Sequence, residues 1–382
     1  MSGIEDLPTP CILIDDHRLE ANLAAMSSRL SNVDLRPHIK THKSVLLAKR
    51  QLDHGAHGIT VAKVSEAETF VQHGFKDVRI AYPVIGNYQL HKVASLAQKA
   101  RISFCIDTFE GAQHASSILR HAPHPVNVLM EVDTGFGRCG IPYDHHDLLK
   151  LASTIQQLDG LNLCGILTHE GHAYTCDLLS RREVMIQTRD RMLNVAVNIH
   201  EVLNLDPASF EISIGSTPSI TEFENRTNVG FQITEVRPGN YIFHDLTQVE
   251  LGVCSLSECA LTVLSTVVSH HRTSQGTERF ILDAGRKVLS SDQLQGSSEY
   301  GCILYNPRTR VAHPHARITG VSEEHGWGTV QGGSTFHVGD RLQIIPNHAC
   351  VVVNMMDHMF LVDGDGDQVL SKVSVDARGC VV

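Results

Sequence analysis

The chain lacks the features that would place it in several large functional classes. It has no basic excess: 32 Lys and Arg stand against 42 Asp and Glu, a formal net charge of -10 over 382 residues. Wrapping nucleic acid needs clustered cations that release counterions, so that class is set aside. None of the ten cysteines forms a CxxC pair, which excludes a zinc ribbon and a thioredoxin-like motif. No apolar run approaches the length of a membrane span. The opening MSGIEDLPTP has no basic segment followed by an apolar core, so no signal peptide is expected. No GxGxxG follows an early strand, which argues against a dinucleotide-binding sheet.

What is present is ordinary globular material with one excess. Hydrophobic residues make up 42% and charged residues 19%, a composition that folds rather than staying disordered. The length suggests two or three folding units. Most cysteines stand in apolar runs such as ISFCID and NLCGIL and read as small buried hydrophobes of a cytoplasmic enzyme. Histidine is the outlier, with 24. It is both a common metal ligand and the side chain that titrates near neutrality.

Eight strand-like runs occupy the first two thirds: LRPHIK (35–40), GITVA (58–62), VRIAY (78–82), ISFCID (102–107), VNVLMEVD (126–133), NLCGILTH (162–169), FEISIG (210–215) and TEVRPG (234–239). Amphipathic segments such as SVLLAKRQLDHG, YQLHKVASLAQKA and HDLLKLASTIQQL separate most of them, with helical apolar spacing. The pattern predicts an α/β fold, a parallel TIM-type (β/α)8 barrel over 18–245, with an open doubly wound sheet as the alternative. Ser65 and Glu68 read as a capping box, and Gly55 and Gly74 as helix stops. Beyond about residue 245 the runs ALTVLSTVVSH, RFILDAG, RLQIIP, CVVVNMM and HMFLVD predict a mostly β second domain, formed by 1–17 and 246–382. CILIDD (11–16) is expected to pair with it, and VDGDGDQVL reads as a hairpin.

Barrel chemistry lies just past the C-terminal ends of the strands, where Lys40, Asp133, Arg138, His169, Ser216 and Gly239 fall. A partly desolvated lysine such as Lys40 can form an imine with an aldehyde. Lys43, expected to start the next helix, is the weaker candidate. IGSTPS (214–219) and RPGNY (237–241) follow strands seven and eight, the usual phosphate site of this barrel class, and Gly215 and Gly239 allow close backbone approach. A strand-one lysine with a phosphate site points to pyridoxal phosphate. Arg138 in EVDTGFGRCG is read either as a surface arginine on a turn or as reaching the cofactor phenolate or a substrate carboxylate. PNHAC sets His348 and Cys350 at i and i+2, on one side of an extended segment. Imidazole and thiolate suit zinc or another borderline metal, and a further ligand must complete the site. THEGHAY adds His169, His172 and Tyr174 as ligand, orienting or pocket residues.

RPHIKTHKS, EVDTGFGRCG, THEGHAY, IGSTPS, EVRPGNYIFHD, DAGRKVLSSD (283–292), SEEHG (322–326) and PNHAC follow one another in this order. Over essentially residues 8–380 the set resembles the fold-type III, alanine-racemase-like pyridoxal phosphate enzymes. It is most similar to the eukaryotic-type D-serine dehydratase and D-threonine aldolase branch. The resemblance implies a barrel, a β domain and a homodimer with active sites near the interface. It implies Lys40 as the Schiff-base lysine, with Arg138 and Tyr174 as further catalytic positions. It also implies phosphate binding by Gly215, Ser216, Thr217, Gly239, Asn240 and Tyr241, with His169 and Arg237 against the cofactor, Arg237 facing the pyridine nitrogen. His348 and Cys350 match the metal pair of the dehydratases.

The aldolases have His-x-Asp, GGGTG-like and YxGxxQH-like segments where this chain has His-Ala-Cys, IGSTP and THEGHAY. The resemblance therefore implies a pyridoxal phosphate- and divalent-metal-dependent dehydratase, with zinc first and manganese or another ion as alternatives. Its substrates would be D-3-hydroxy amino acids such as D-serine, D-threonine or 3-hydroxy-D-aspartate, converted to a 2-oxo acid and ammonia. Retro-aldol cleavage to glycine and an aldehyde is the alternative reaction, and a non-enzymatic pyridoxal phosphate protein the alternative class. No nucleic acid or membrane partner is expected. Lys63, Arg286 and Lys287 are the candidates for a second substrate carboxylate, and Asp292 and Glu324 for support of the interdomain surface.

Overall fold

A computed structural model describes residues 3–30, 32–274, 277–331 and 336–382. The chain divides into two compact units, one of Ser27–Lys40, Ala48–Gly239 and Cys380–Val382, the other of Met1–Met26, Thr41–Leu47 and Asn240–Gly379.

The first unit contains the eight expected strands: Asp34–Leu35, Ile59–Val61, Asp77–Pro83, Arg101–Ile106, Val126–Asp133, Leu161–Leu167, Glu211–Ile214 and Glu235–Val236. All pair in parallel. The eighth lies against the first, and a parallel bridge between His38 and Thr60 links the first to the second, so the sheet curls round on itself. The strands are largely apolar on both faces because helices cover the outside and side chains fill the inside. Cys105, Leu129 and Leu167 pack together in one cluster, with Ala81 and Cys164 against them. Nearer the strand starts lies a layer of buried ions. Arg36 pairs with Asp77 (2.6 Å) and Glu235, and Arg79 pairs with Glu235 and Glu211.

Three local expectations change. LRPHIK is regular strand only at Asp34–Leu35, and Lys40 lies in the 3-10 turn Ile39–Thr41. Pro37 offers no N–H to a ladder, which thins the pairing there. The helix Val64–Gln72 starts one residue before Ser65, with Lys63 at its N-cap and no side-chain cap. Glu66 turns back to accept the Ala62 N–H (2.6 Å) in place of the Ser65–Glu68 box. Lys43 does not start a helix. It adopts φ 51°, and the next helix, Val45–Asp53, begins where Asp376 accepts the Val45 N–H (2.7 Å). The helix stops at Gly55 and Gly74 follow the sequence reading, both at positive φ.

The second unit is β-rich. Cys11–Asp15 pairs antiparallel with Leu261–Arg272 and parallel with His358–Val362, as CILIDD suggested. His358–Val362 and Val369–Ser374 form the expected antiparallel pair. These strands belong to a ten-stranded sheet that also holds Arg341–Ile345 and Glu278–Leu282. CVVVNMM is the exception: Ala349–Asn354 is a helix. The buried Asp245 carboxylate accepts the Ala349 N–H (2.9 Å), satisfying a donor that a helix start leaves open, while Val352 and Val353 face the core. Of the ten cysteines, Cys11, Cys105 and Cys259 are buried and seven are partly exposed, so the buried-hydrophobe reading holds for only a minority.

Candidate active site

In the barrel unit the site is built at the strand ends. Leu161–Leu167 runs into Thr168, His169 and Glu170, and Glu211–Ile214 runs into Gly215. His169 Nδ1 donates to the Gly215 carbonyl oxygen (3.1 Å), and the Gly215 N–H is donated to Glu170 Oε2 (3.1 Å). Both backbone groups of Gly215 are therefore held by two consecutive residues of the neighbouring strand end. Gly215 has φ +136°, and a Cβ there would sit 2.6 Å from the Arg237 nitrogen. Ser219 donates to Glu170 Oε1, and Ser216 caps the short turn Thr217–Ile220.

Burial, with the charges of Lys40 and Arg138, pulls His169 down to about 3, so its imidazole is neutral. Because Nδ1 carries the proton for Gly215, Nε2 is left as an acceptor. Phe136 meets the His169 ring edge-on at 6.0 Å and stacks on His172 at 6.1 Å. Tyr174 is half-buried in the turn Gly171–Thr175.

Arg237 is buried and donates to Ser213 Oγ and to the Thr168 carbonyl. The exposed Arg138 stands over the Phe136 ring at 5.4 Å. Its glycine loop is pinned by two carboxylates. Asp133 Oδ1 accepts the N–H groups of Gly135, Phe136 and Gly137 at 2.8–3.1 Å, and Asp107 accepts that of Gly140 at 3.0 Å.

Two groups not singled out in the sequence sit among these residues. His38 has a buried Nδ1 without a hydrogen-bond partner among the described residues. Burial, then Lys40, Arg237, His169 and Arg138, hold it neutral, so four of the expected site residues converge on it. Glu131 is a buried carboxyl pushed up to about 7, by burial first and Asp107 next. The i, i+2 spacing of Arg36, His38 and Lys40 was the one sequence signal for His38. Glu131 carried a signal in the alternation of VNVLMEVD. A cavity of about 640 Å³ lies at the other end of the strands, lined by Arg36, Arg101, Glu211 and Glu235, whose charges are paired.

In the β-rich unit His348 is the N-cap of Ala349–Asn354 and Cys350 lies in its first turn, not on an extended segment as expected. His348 Nδ1 donates to Asp292 Oδ2 (2.7 Å), and a side-chain hydrogen bond joins the imidazole to Cys350. Cys350 Sγ lies 3.3 Å from Thr41 Oγ1 and 4.0 Å from the Asn240 amide. Burial opposes charge on both, yet their mutual attraction, with Asp245 and Asp292 acting on the imidazole, lifts His348 to about 10 and lowers Cys350. Asn240 also donates to Asp245 (2.6 Å), and Tyr241 is buried in the turn Asn240–Ile242.

A further candidate metal cluster, missed in the sequence, is His145, His146 and Asp147 in the barrel unit. Their ligand atoms lie within 4.8 Å of one another at an exposed turn. Of the side chains considered for a second carboxylate, Lys287 is paired with Glu323 (3.2 Å) and Glu324 (2.6 Å), and the Lys63 ammonium stands 3.8 Å over the Tyr82 ring.

Comparison with known proteins follows the same division. The family described as "Alanine racemase, N-terminal domain" matches residues 14–246, and the "Putative serine dehydratase domain" matches 260–362. The D-threo-3-hydroxyaspartate dehydratase of Delftia sp. (strain HT23) is 33% identical over 359 residues, covering 90% of this chain and 91% of that protein. Its solved structure matches with a TM-score of 0.88 over 98% of this chain and 99% of that one, at 30% identity. Two further structures of a D-threo-3-hydroxyaspartate dehydratase carry a histidine-to-alanine and a cysteine-to-alanine substitution, the latter in the metal-free form. A D-threonine aldolase of Arthrobacter sp is 31% identical over 377 residues, covering 97% of this chain and 93% of that protein. The D-serine dehydratase of Dictyostelium discoideum is 27% identical over 399 residues, 95% of each. No helix among the described residues is long and apolar enough to cross a membrane. With the alanine-racemase description matching well over half its length, the chain belongs to the alanine-racemase-like superfamily of fold-type III pyridoxal phosphate enzymes, as a lyase-type member related to the D-threo-3-hydroxyaspartate and D-serine dehydratases.

Proposed function

We propose that the chain is a pyridoxal phosphate- and divalent-metal-dependent dehydratase of D-3-hydroxy amino acids, releasing a 2-oxo acid and ammonia. The observation that carries this reading is the His348–Cys350 pair. The Asp292 carboxylate orients the imidazole through Nδ1, so that Nε2 is the ring nitrogen that would ligate a metal, the arrangement that holds metal-bound histidines in other proteins. A thiolate and an imidazole suit zinc first, with manganese or another divalent ion as alternatives. The dehydratase relative whose cysteine variant is metal-free supports the same assignment.

The barrel residues fit the organic cofactor. Buried polar atoms without partners among the described residues, His38 Nδ1 and Glu131 Oε2, mark a place where a bound polar group belongs. Lys40 would hold the cofactor's aldehyde carbon. The segments Gly215–Thr217 and Gly239–Tyr241 would hold its phosphate, with neutral His169 against the ring and Arg237 toward the pyridine nitrogen. Once bound, the cofactor supplies the electron sink for the bond that breaks at Cα. The amine of Lys40 would take the α-proton. Arg138 meets the substrate carboxylate or the cofactor phenolate, and Tyr174 belongs to the same pocket. His348 and Cys350 would hold a divalent ion, which would supply Lewis-acid chemistry for loss of a hydroxyl leaving group. A homodimer in the cytoplasm completes this reading, and the exposed apolar side chains Tyr82 near the end of the third strand and Ile85 and Tyr88 just after it support the homodimer.

The Arthrobacter relative keeps the aldolase reaction as a second reading. The deciding assay incubates purified protein with D-serine, D-threonine and D-threo-3-hydroxyaspartate, with and without a chelator. A 2-oxo acid and ammonia, lost on chelation, are expected. Glycine and acetaldehyde from D-threonine would overturn dehydration, and turnover indifferent to the chelator would remove the metal.

A further inference from the structure

Glu131 stands two residues beyond Leu129 on the fifth barrel strand, and side chains two apart share a face, so it continues the column of the interior apolar cluster. It is 5% exposed, and its Oε2 has no hydrogen-bond partner among the described residues. A carboxyl oxygen buried in this way costs on the order of 1–3 kcal/mol, and more when charged. Folds retain such a group where a bound molecule satisfies it. The charged groups acting on it are Asp107 just past the end of the fourth strand, Asp133 from its own strand, Arg138 from the glycine loop and Arg237 beyond the eighth strand. The thiols of Cys105 and Cys139 are raised by burial first and by Glu131 next. Burial and Asp107 outweigh the two arginines and push Glu131 up to about 7. A neutral carboxyl carries an O–H donor that a carboxylate lacks, and apolar enzyme sites use neutral carboxyls as donors to ligand oxygens.

We propose that Glu131 is a cofactor-contacting residue whose neutral carboxyl donates a hydrogen bond to an oxygen of bound pyridoxal phosphate. The assignment rests on the reading of the barrel as the cofactor site. It makes cofactor retention proton-dependent: the donor is present below the Glu131 pKa and is lost as pH rises through it.

The test titrates metal-replete wild type, Glu131→Gln and Glu131→Leu with pyridoxal phosphate, reading the dissociation constant and the cofactor absorption band across the neutral pH range. Glutamine keeps a neutral donor, so Glu131→Gln should bind within about threefold of wild type, with a flatter pH profile. Glu131→Leu should bind about tenfold more weakly or worse. Wild-type affinity should fall as pH rises through about 7. Leucine binding as well as wild type, or glutamine and leucine weakened equally, would overturn the donor role. If Glu131→Leu does not fold, identical pH profiles for wild type and Glu131→Gln would overturn it. Failure of the wild type itself to bind the cofactor would overturn the barrel reading, and this proposal with it.

Discussion

Glu170 accepts the N–H of Gly215 while its chain neighbour His169 donates to the Gly215 carbonyl, so one peptide residue is gripped from both sides. The grip joins the ends of the sixth and seventh strands. It fixes the tautomer of His169 and the entrance to the segment proposed to hold the cofactor phosphate.

Removing the Glu170 side chain leaves the buried Gly215 N–H without its acceptor, while the Ser219 hydroxyl keeps the Ser216 carbonyl (3.1 Å). Such a loss costs on the order of 1–3 kcal/mol. Glu170→Ala should lower apoprotein stability by about that amount in a denaturant titration and weaken pyridoxal phosphate binding. An unchanged cofactor affinity would reduce Glu170 to a purely structural group.

Gly215→Ala should be worse. Its φ of +136° and the 2.6 Å approach to the Arg237 nitrogen leave no place for a methyl group. Strain of roughly 1–3 kcal/mol, before the clash is counted, should appear as a lower unfolding midpoint and loss of bound cofactor.

The ion layer predicts acid sensitivity. Burial works against the Glu235 carboxylate, but Arg36, Arg79 and Arg237 overcome it and hold its pKa down to about 2. A depressed carboxyl stabilises the fold fully above its unfolded pKa of about 4.5, and the contribution is lost as pH falls toward 2. The effect is worth about 3 kcal/mol. Glu235→Ala leaves Arg36 and Arg79 buried without this partner and should cost roughly 3–5 kcal/mol at neutral pH. Urea titrations at pH values across this window measure both.

Metal content separates ligand from orienting residue. Cys350→Ala should abolish stoichiometric metal binding in elemental analysis. Asp292→Asn, which alters only the partner of His348 Nδ1, should weaken it about 10- to 100-fold. Equal metal content in all three proteins would move the metal elsewhere, with the exposed His145–His146–Asp147 cluster the next place to mutate.

Lys40→Ala should lose covalent cofactor labelling on borohydride reduction while remaining folded, because Lys40 lies exposed on a turn and not in the core. Retained label would assign the linkage to another lysine.

Much of the barrel was legible because its signal is local. Eight runs separated by helical spacing show up as strands, the first shortened to Asp34–Leu35, since burial on both faces makes each strand largely apolar outside the ion layer. Glycines ending helices are equally local. CVVVNMM misled because β-branched valines favour strands by themselves. An acceptor about a hundred residues away, the Asp245 carboxylate, stabilises the helix start instead. Ser65 misled because Glu66 found a donor in the preceding turn.

The sequence by itself determined the parallel barrel, the β-rich second unit, the family and the residue types of the chemistry, because periodicity and short motifs are written into neighbouring residues. Only the tertiary structure decided what those residues experience. It set Asp292 behind His348, clasped Gly215 between His169 and Glu170, surrounded His38 with cations, and buried Glu131 without a partner for its Oε2 among the described residues. Protonation and hydrogen bonding depend on desolvation and on charges from distant strands, and neither is visible until the chain has folded.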